Sequence, residues 1–386
     1  MNIWSKKPLP TWRKRLSIVL WIVFLGFVAF IVFNPKFPIL LKYGFTSKGY
    51  NEMLRTSNDP DIRFGNFSLD GSKVILNYRP KTHNENGISY MGILDISTGQ
   101  LKLIRPLSKY KLWYDGSFSP DGREIVFSYK LNENTPENTG IGILELATWG
   151  YRDILKSNHV KQYLAFSSDA KRLIYFQREY IQAKDGKMLD QGTDVYEMEL
   201  ETFKEHRLTS FGFFAGGNIR YFPDGNTYIM SADYPTHLGA NVTKRIQPEY
   251  SKYYKDNTIY IFNRNNQPSQ AIPAIIYKDH SNFEDISSDG TKILCTALSD
   301  LHKRNQQGKY NYELFMYEDK QMNQLTDLQW MIIDAALSPD AKKAVFVADT
   351  LPSRGNERQI WLLDIETNTA SHIEIKPENI TWIDVK

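Results

Sequence analysis

Six aspartates are the most chemically suggestive residues in the chain because they recur. Asp70, Asp121, Asp169, Asp224, Asp289 and Asp340 stand 51, 48, 55, 65 and 51 residues apart. Acids that act as general acid and base work as pairs in contrasting environments. These instead sit in six copies of one local pattern: FSLDGSKVIL from Phe67, FSPDGREIVF from Phe118, FSSDAKRLIY from Phe166, YFPDGNTYIM from Tyr221, ISSDGTKILC from Ile286 and LSPDAKKAVF from Leu337. Repetition of that kind marks a structural device, and we assign these aspartates to turn closure. Other chemistry is sparse. His83, His159, His206, His237, His280, His302 and His372 are scattered, with no H-x-x-x-H spacing for zinc. There is no G-x-S-x-G nucleophile elbow, no G-x-x-x-x-G-K-[ST] phosphate loop and no C-x-x-C pair. Cys295 is the one cysteine, so no internal disulfide forms, and its place in an apolar strand makes it core. A formal charge of +3 over 386 residues gives no nucleic-acid signature.

The elements around the aspartates set the fold. Each copy runs from a large apolar residue through Ser or Phe to Asp, then Gly or Ala, two polar residues and a strand rich in Val, Ile, Phe and Tyr. The Asp accepts backbone hydrogen bonds and Gly tolerates positive φ, which turns the chain tightly. Because Ala follows Asp169 and Asp340, a type I turn without a left-handed residue at that place is the expectation. Two further strand-like pieces follow each turn, as in GILDISTGQLKLI and QIWLLDIETNTASHIEI. Four short antiparallel strands cannot bury both faces alone, whereas six such sheets arranged radially can. The expected fold class is all-β, a six-bladed β-propeller over residues 62–386. In that arrangement Asp115, Asn218, Arg220, Glu284, Asp285 and Asp334 stand on innermost strands, near a central channel. Their four carboxylates have the oxygen chemistry for a hard cation such as Ca²⁺. The favoured expectation is plainer: channel lining, and pairing with Arg220.

The SPDG turn with an apolar strand behind it resembles the TolB-like six-bladed propeller, a WD-repeat-like family, from Ile62 to roughly Ile375. The resemblance implies architecture. It departs from TolB in that no separate α/β domain precedes the repeats, so translocation or peptidoglycan-associated roles are not carried over. The repeats are also broadly similar to those of oligogalacturonate lyase, whose usual seven blades and histidine-rich site have no evident counterpart here.

Leu16–Phe33 is eighteen residues without a charge, long enough to cross the hydrocarbon layer as one N-terminal transmembrane helix. Lys6, Lys7, Arg13, Lys14 and Arg15 precede it, and Lys36, Lys42 and Lys48 follow. That balance predicts a cytoplasmic basic tail over 1–15, a signal-anchor over 16–33 and the propeller outside the cytoplasm, in the periplasm or at the cell surface. Residues 34–61 read as a spacer with a short helix over Lys48–Arg55. ENITWIDV, from Glu378 to Val385, reads as one extra strand that pairs near the first blade and clasps a monomeric ring.

The turns are uniformly short, whereas the loops expected on the opposite face are long: 233–257, 178–193 and 299–311. Binding is usually built on such loops. The longest carries His237, Lys244, Arg245, Tyr250, Tyr253, Tyr254 and Lys255, and links between blades add Trp113, Tyr163, Phe211, Phe213 and Trp330. Tyrosine beside basic groups suits a protein or anionic-polymer contact, although a solvated insertion has the same composition. Two functions follow as expectations. The first is a membrane-tethered envelope module that binds a protein or glycan, with no cofactor and no catalysis. The second is a polysaccharide lyase or hydrolase, with channel-mouth carboxylates and His159 or His237 holding a divalent metal.

Overall fold

The computed structural model describes residues 61–79, 89–105, 110–131, 139–182, 188–213, 215–232, 258–265, 274–275, 281–299, 311–349 and 358–385. They form an all-β propeller whose only helix, among the described residues, is a short 3₁₀ turn at Pro377–Asn379. The chain runs as successive four-strand meanders. β1 (Asp61–Phe67), β2 (Lys73–Arg79), β3 (Tyr90–Asp95) and β4 (Leu101–Arg105) are the first. β5 (Tyr110–Phe118), β6 (Glu124–Leu131), β7 (Thr139–Glu145) and β8 (Tyr151–Ser157) are the second, and β9 (Val160–Phe166), β10 (Arg172–Gln182), β11 (Met188–Glu199) and β12 (Glu205–Arg207) the third. β13 (Gly216–Tyr221), β14 (Thr227–Ala232), β15 (Thr258–Asn263) and β16 (Ala274–Ile275) follow, then β17 (Ser281–Ile286), β18 (Ile293–Leu298), β19 (Tyr312–Glu318) and β20 (Gln321–Gln324). The last meander is β21 (Met331–Leu337), β22 (Lys343–Asp349), β23 (Arg358–Asp364) and β24 (Thr369–His372), after which comes β25 (Ile380–Asp384).

Where six separate sheets are expected, the described strands pair into five. The fifth and sixth meanders are joined by a single parallel bridge, Tyr312 to Met331, into one sheet of eight strands. The joint forms because β21 starts beside the first residue of β19, close enough for one backbone contact.

Alternation along the second strands explains the packing. Successive side chains of a strand point to opposite faces, and here both faces are buried. In β2, Ile75 enters the cluster shared with Phe118, Ile125 and Phe127, while Val74 and Leu76 enter the cluster shared with Ala336, Val345 and Val347. In β10, Leu173 and Tyr175 pack toward Val126 and Ile143, while Ile174 and Phe176 pack toward Ile219, Tyr228 and Met230. β14, β18 and β22 divide their residues in the same way. Each meander thus shares a hydrophobic seam with the next, and the last shares one with the first. The innermost strands β1, β5, β9, β13, β17 and β21 touch in the same cyclic order.

The turns differ from expectation in one respect. The N–H of Gly71 donates to the Ser68 carbonyl at 2.8 Å, closing a type I turn over Leu69 and Asp70. A left-handed residue then follows, at Gly71 (φ 67°), Gly122 (69°), Ala170 (56°), Gly225 (63°), Gly290 (75°) and Ala341 (54°). A type I turn joins two antiparallel strands by adding one left-handed residue, so even the alanines adopt the conformation, against a penalty of about 1–2 kcal/mol for an L-residue. Ser and Asp close five of the turns, as where the Ser119 hydroxyl donates to Asp121 Oδ1 at 2.6 Å and the Arg123 N–H to the same oxygen at 3.1 Å; in the fourth, Phe222 replaces Ser and the Thr227 hydroxyl donates to Asp224 Oδ2 at 2.7 Å. Neighbouring turns meet on one side of the molecule, as where Ser168 Oγ donates to the Pro223 carbonyl and Ser288 Oγ to the Pro339 carbonyl. The loops after second strands therefore emerge on the other side, and β1 enters from that side.

A second difference is at 178–193, expected as a loop. β10 and β11 continue through it as a long hairpin, with Arg178 opposite Thr193 and Gln182 opposite Met188, around a bulge at Glu179/Tyr180. The β10–β11 pairs from Tyr180 to Gln182 continue the ladder past Arg178, where β10 pairing with β9 ends.

The tail strand β25 runs parallel to β4, Ile380 to Asp384 opposite Leu101 to Arg105. Ile380 joins the seam between the last and first meanders, and Ile383 joins the seam between the first and second. Trp382 stays exposed, edge-on to Tyr90 at 5.0 Å and under the Arg105 guanidinium at 4.9 Å.

No helix among the described residues is long and apolar enough to cross a membrane. The apolar run 16–33, the expected helix at 48–55 and the loop residues His237, Lys244, Arg245, Tyr250, Tyr253 and Tyr254 lie outside the described residues.

Removing residues 378–386 is expected to lower the thermal midpoint by several degrees, read by circular dichroism, since it strips apolar residues from two seams; an unchanged midpoint would count against the clasp. Ala170→Gly is expected to stabilise by up to about 1 kcal/mol, the left-handed penalty less the added unfolded-state entropy of glycine. Ala341→Gly is expected to be near neutral in the same denaturant titration, because the Ala341 methyl is buried in a seam and its loss costs roughly 1 kcal/mol.

Candidate functional site

A bulge interrupts the first-to-second strand ladder of every meander: at Phe64/Phe67, Tyr114/Gly116, Ile174/Phe176, Gly216/Ile219, Phe283/Asp285 and Ile332/Asp334. A bulge leaves a backbone amide unpaired and re-aims the side chains beside it. Here the freed groups meet side chains from the neighbouring meander. The Phe64 N–H donates to Asp334 Oδ2 at 2.7 Å, and the Tyr163 N–H donates to Asp115 Oδ2 at 2.9 Å. One step along the strand, the Phe118 N–H donates to Asn66 Oδ1 at 2.7 Å and the Leu337 N–H to Asp285 Oδ2 at 3.1 Å. Each of these acceptors stands on the inner strand of one meander and each donor on the inner strand of the next.

The fourth and fifth meanders are joined through side chains. Arg220 Nε donates to Asp285 Oδ1 at 3.1 Å, and Asn218 Nδ2 donates to Glu284 Oε2 at 3.2 Å. Asp285 therefore links three meanders, holding Arg220 on one side and the Leu337 N–H on the other. Between the third and fourth, Glu197 accepts the Tyr221 hydroxyl and Arg264 Nη2, the latter at 2.5 Å. Hydrogen bonds of this charge-assisted kind are about twice as strong as neutral ones.

The inner face is electrostatically crowded. Glu284, Asp285 and Asp334 are buried, and burial raises the pKa of each, as it does that of Asp115. The adjacent Asp334 raises Glu284 further. Arg63 pulls the other way on Asp115, Glu284 and Asp334, and Arg220 does so on Asp115 and Asp285. Tyr163 is raised chiefly by burial, with Asp115 adding to it. Its backbone is left-handed (φ 58°) and its ring stands edge-on to Phe176 at 6.1 Å.

All six expected channel residues thus fall on inner strands at or beside the bulges, and they are occupied as stitches between meanders. The Ca²⁺ expectation meets carboxylates that already accept hydrogen bonds, and among the described residues no three His, Cys, Asp or Glu stand close enough to hold a metal. Asp70, Asp121, Asp169, Asp224, Asp289 and Asp340 each take hydrogen bonds from their own turn. Trp330 does not stand free: it is half-buried against Trp361, with ring centroids 4.9 Å apart. Trp113 lies in β5 opposite Tyr129. Phe211 and Phe213 are core. Sequence reasoning passed over Arg63, Asn66 and Tyr163 as members of the inner face. Gly65, Gly116 and Gly217, placed inside strands, were the available signal for the bulges.

With this geometry in view, similarity to known proteins adds the class. No family model and no curated protein sequence matches the chain. Among solved structures, TolB from Acinetobacter baumannii aligns with a TM-score of 0.50 at 16% identity, over 84% of this chain and 66% of TolB. Oligogalacturonate lyase in complex with manganese aligns at 0.49 and 12%, over 80% of this chain and 75% of the lyase. An acylaminoacyl peptidase from Pyrococcus horikoshii aligns at 0.48 and 14%, over 84% and 48%. The chain is a β-propeller with the fold seen in TolB, and it spans about two thirds of that protein's length.

Asp285→Ala is expected to cost about 3–5 kcal/mol in denaturant unfolding, since it leaves the largely buried Arg220 uncompensated and the Leu337 N–H unpaired. A loss below about 1 kcal/mol would mean that apolar packing alone holds these seams.

Proposed function

We propose that the chain is a six-bladed propeller, tethered to the cytoplasmic membrane by residues 16–33 and displayed outside the cytoplasm, where it binds an envelope protein or glycan. In this reading the eight-stranded sheet acts as two blades, because the seam between its halves is packed like the others. The observation that carries the function is the division of labour between the two sides and the centre. The carboxylates of the inner face are engaged in joining blades, and the six aspartate turns are short and alike. On the opposite side the β10–β11 hairpin extends, and the sequence places 233–257 between β14 and β15. A rigid ring with variable loops on one side is a binding scaffold. His237, Lys244, Arg245, Tyr250, Tyr253 and Tyr254 supply aromatic contact area and positive charge there.

The test is crosslinking in intact cells with a membrane-impermeant amine reagent, followed by identification of whatever is joined to the propeller. Wild type is expected to capture a discrete partner, and a variant lacking 236–255 to lose it while keeping its melting temperature. Labelling that appears only after lysis would reject the extracytoplasmic placement. Equal capture by the deletion variant would reject the loop as the contact. A divalent metal retained stoichiometrically by the purified chain would favour the polysaccharide enzyme instead.

A further inference from the structure

Two acids touch where the fifth meander meets the last, one residue from the seam that closes the cycle. Glu284 of β17 and Asp334 of β21 are buried and hydrogen-bonded to each other. Glu284 also accepts the Thr296 hydroxyl at 2.6 Å and the Asn218 amide at 3.2 Å. Asp334 also accepts its own strand's Ala335 N–H at 3.0 Å and the Phe64 N–H at 2.7 Å, the bond that joins the last meander to the first. Two carboxyl groups at hydrogen-bond distance in a buried site do not both ionise, so they share one proton. Burial raises both acids, so the titration belongs to the pair.

We propose that the proton shared by Glu284 and Asp334 is a latch on the closing seam, so that the ring is held shut at mildly acidic pH and loosens between β21 and β1 as the pH rises. Every element packed here brings charge or titratable groups: Arg63 from β1, Asp115 from β5, Tyr163 from β9, Arg220 from β13, Asp285 from β17 and Cys295 from β18. Tyr163 and Cys295 are pushed up by burial and stay neutral, and Arg220 is committed to Asp285. Loss of the proton to solvent adds one negative charge to a set of four acids faced by two guanidiniums. The repulsion falls on Asp334, whose hold on the Phe64 amide crosses the closing seam beside the Arg63 bond to the Ile333 carbonyl.

The sign follows from linkage. A carboxyl raised in the folded state contributes stability that is fully present below its unfolded value, about 4, and is lost as the pH climbs through its folded value. The turn aspartates act in the opposite direction and in another window. The Ser68 hydroxyl, first among its partners, holds Asp70 at about 2. Its contribution is present above about pH 4 and is lost only as the pH falls toward 2.

Amide hydrogen exchange of the full-length protein, read by mass spectrometry on peptides covering 61–67, tests the latch from about pH 5 to about pH 9. After correction for intrinsic exchange, wild-type opening is expected to grow by up to about tenfold per pH unit through the pair's titration, the limit for one linked proton. Glu284→Gln keeps a donor to Asp334 and removes the titration, and is expected to flatten that dependence while peptides in β10 are unaffected. A wild-type profile that follows intrinsic exchange alone overturns the proposal even if the variant does not fold, and so does an equal slope in Glu284→Gln.

Discussion

Burial of both faces of every sheet is the constraint from which the rest of this structure follows. A strand such as β2 or β10 carries apolar side chains at consecutive positions, so each sheet presents two hydrophobic faces. A stack of such sheets leaves two apolar faces bare at its ends, and the free energy of that exposure, about 25 cal/mol per Å², is removed only by bringing the ends together. Closure is thus a packing requirement, and the seam between Val345 and Val347 on one side and Val74 and Leu76 on the other is where it is met.

Closure in turn determines what the polar residues of the inner strands do. Six strands approaching one axis crowd their backbones, to the point that a Cβ on Gly65 would stand 2.1 Å from the Gly116 carbonyl oxygen. The ladders yield by bulging, and each bulge releases an amide that a buried environment requires to be paired. Asp334 and Asp115 accept such amides, and Asn66 and Asp285 accept amides farther along the inner strands. Residues with the composition of a metal or catalytic centre are in this way consumed by architecture.

The clasp illustrates how little a strand needs in order to matter. β25 buries few side chains, yet it joins two seams through Ile380 and Ile383 and carries the chain's end onto its first sheet. Among the described residues the closing seam is tied by the tail, by the Phe64 N–H on Asp334 and by the Arg63 guanidinium on the Ile333 carbonyl at 3.3 Å.

What the sequence by itself determined is whatever depends on neighbours a few residues away. The aspartate period, the Ser–Asp turn, the buried second strands, the core position of Cys295 and the extra strand after the last repeat all belong there. What only the tertiary structure decided depends on partners from 19 to 270 residues distant. It chose which carboxylate accepts which amide, where each ladder bulges, that Trp330 packs on Trp361, and that the fifth and sixth meanders meet in one sheet. It also decided that Ala170 and Ala341 take a left-handed conformation, because the reversal of the strands fixes the backbone there and the side chain has to follow. Composition names the groups available for a contact, but only closure of the ring brings an oxygen of one sheet to the unpaired amide of the next.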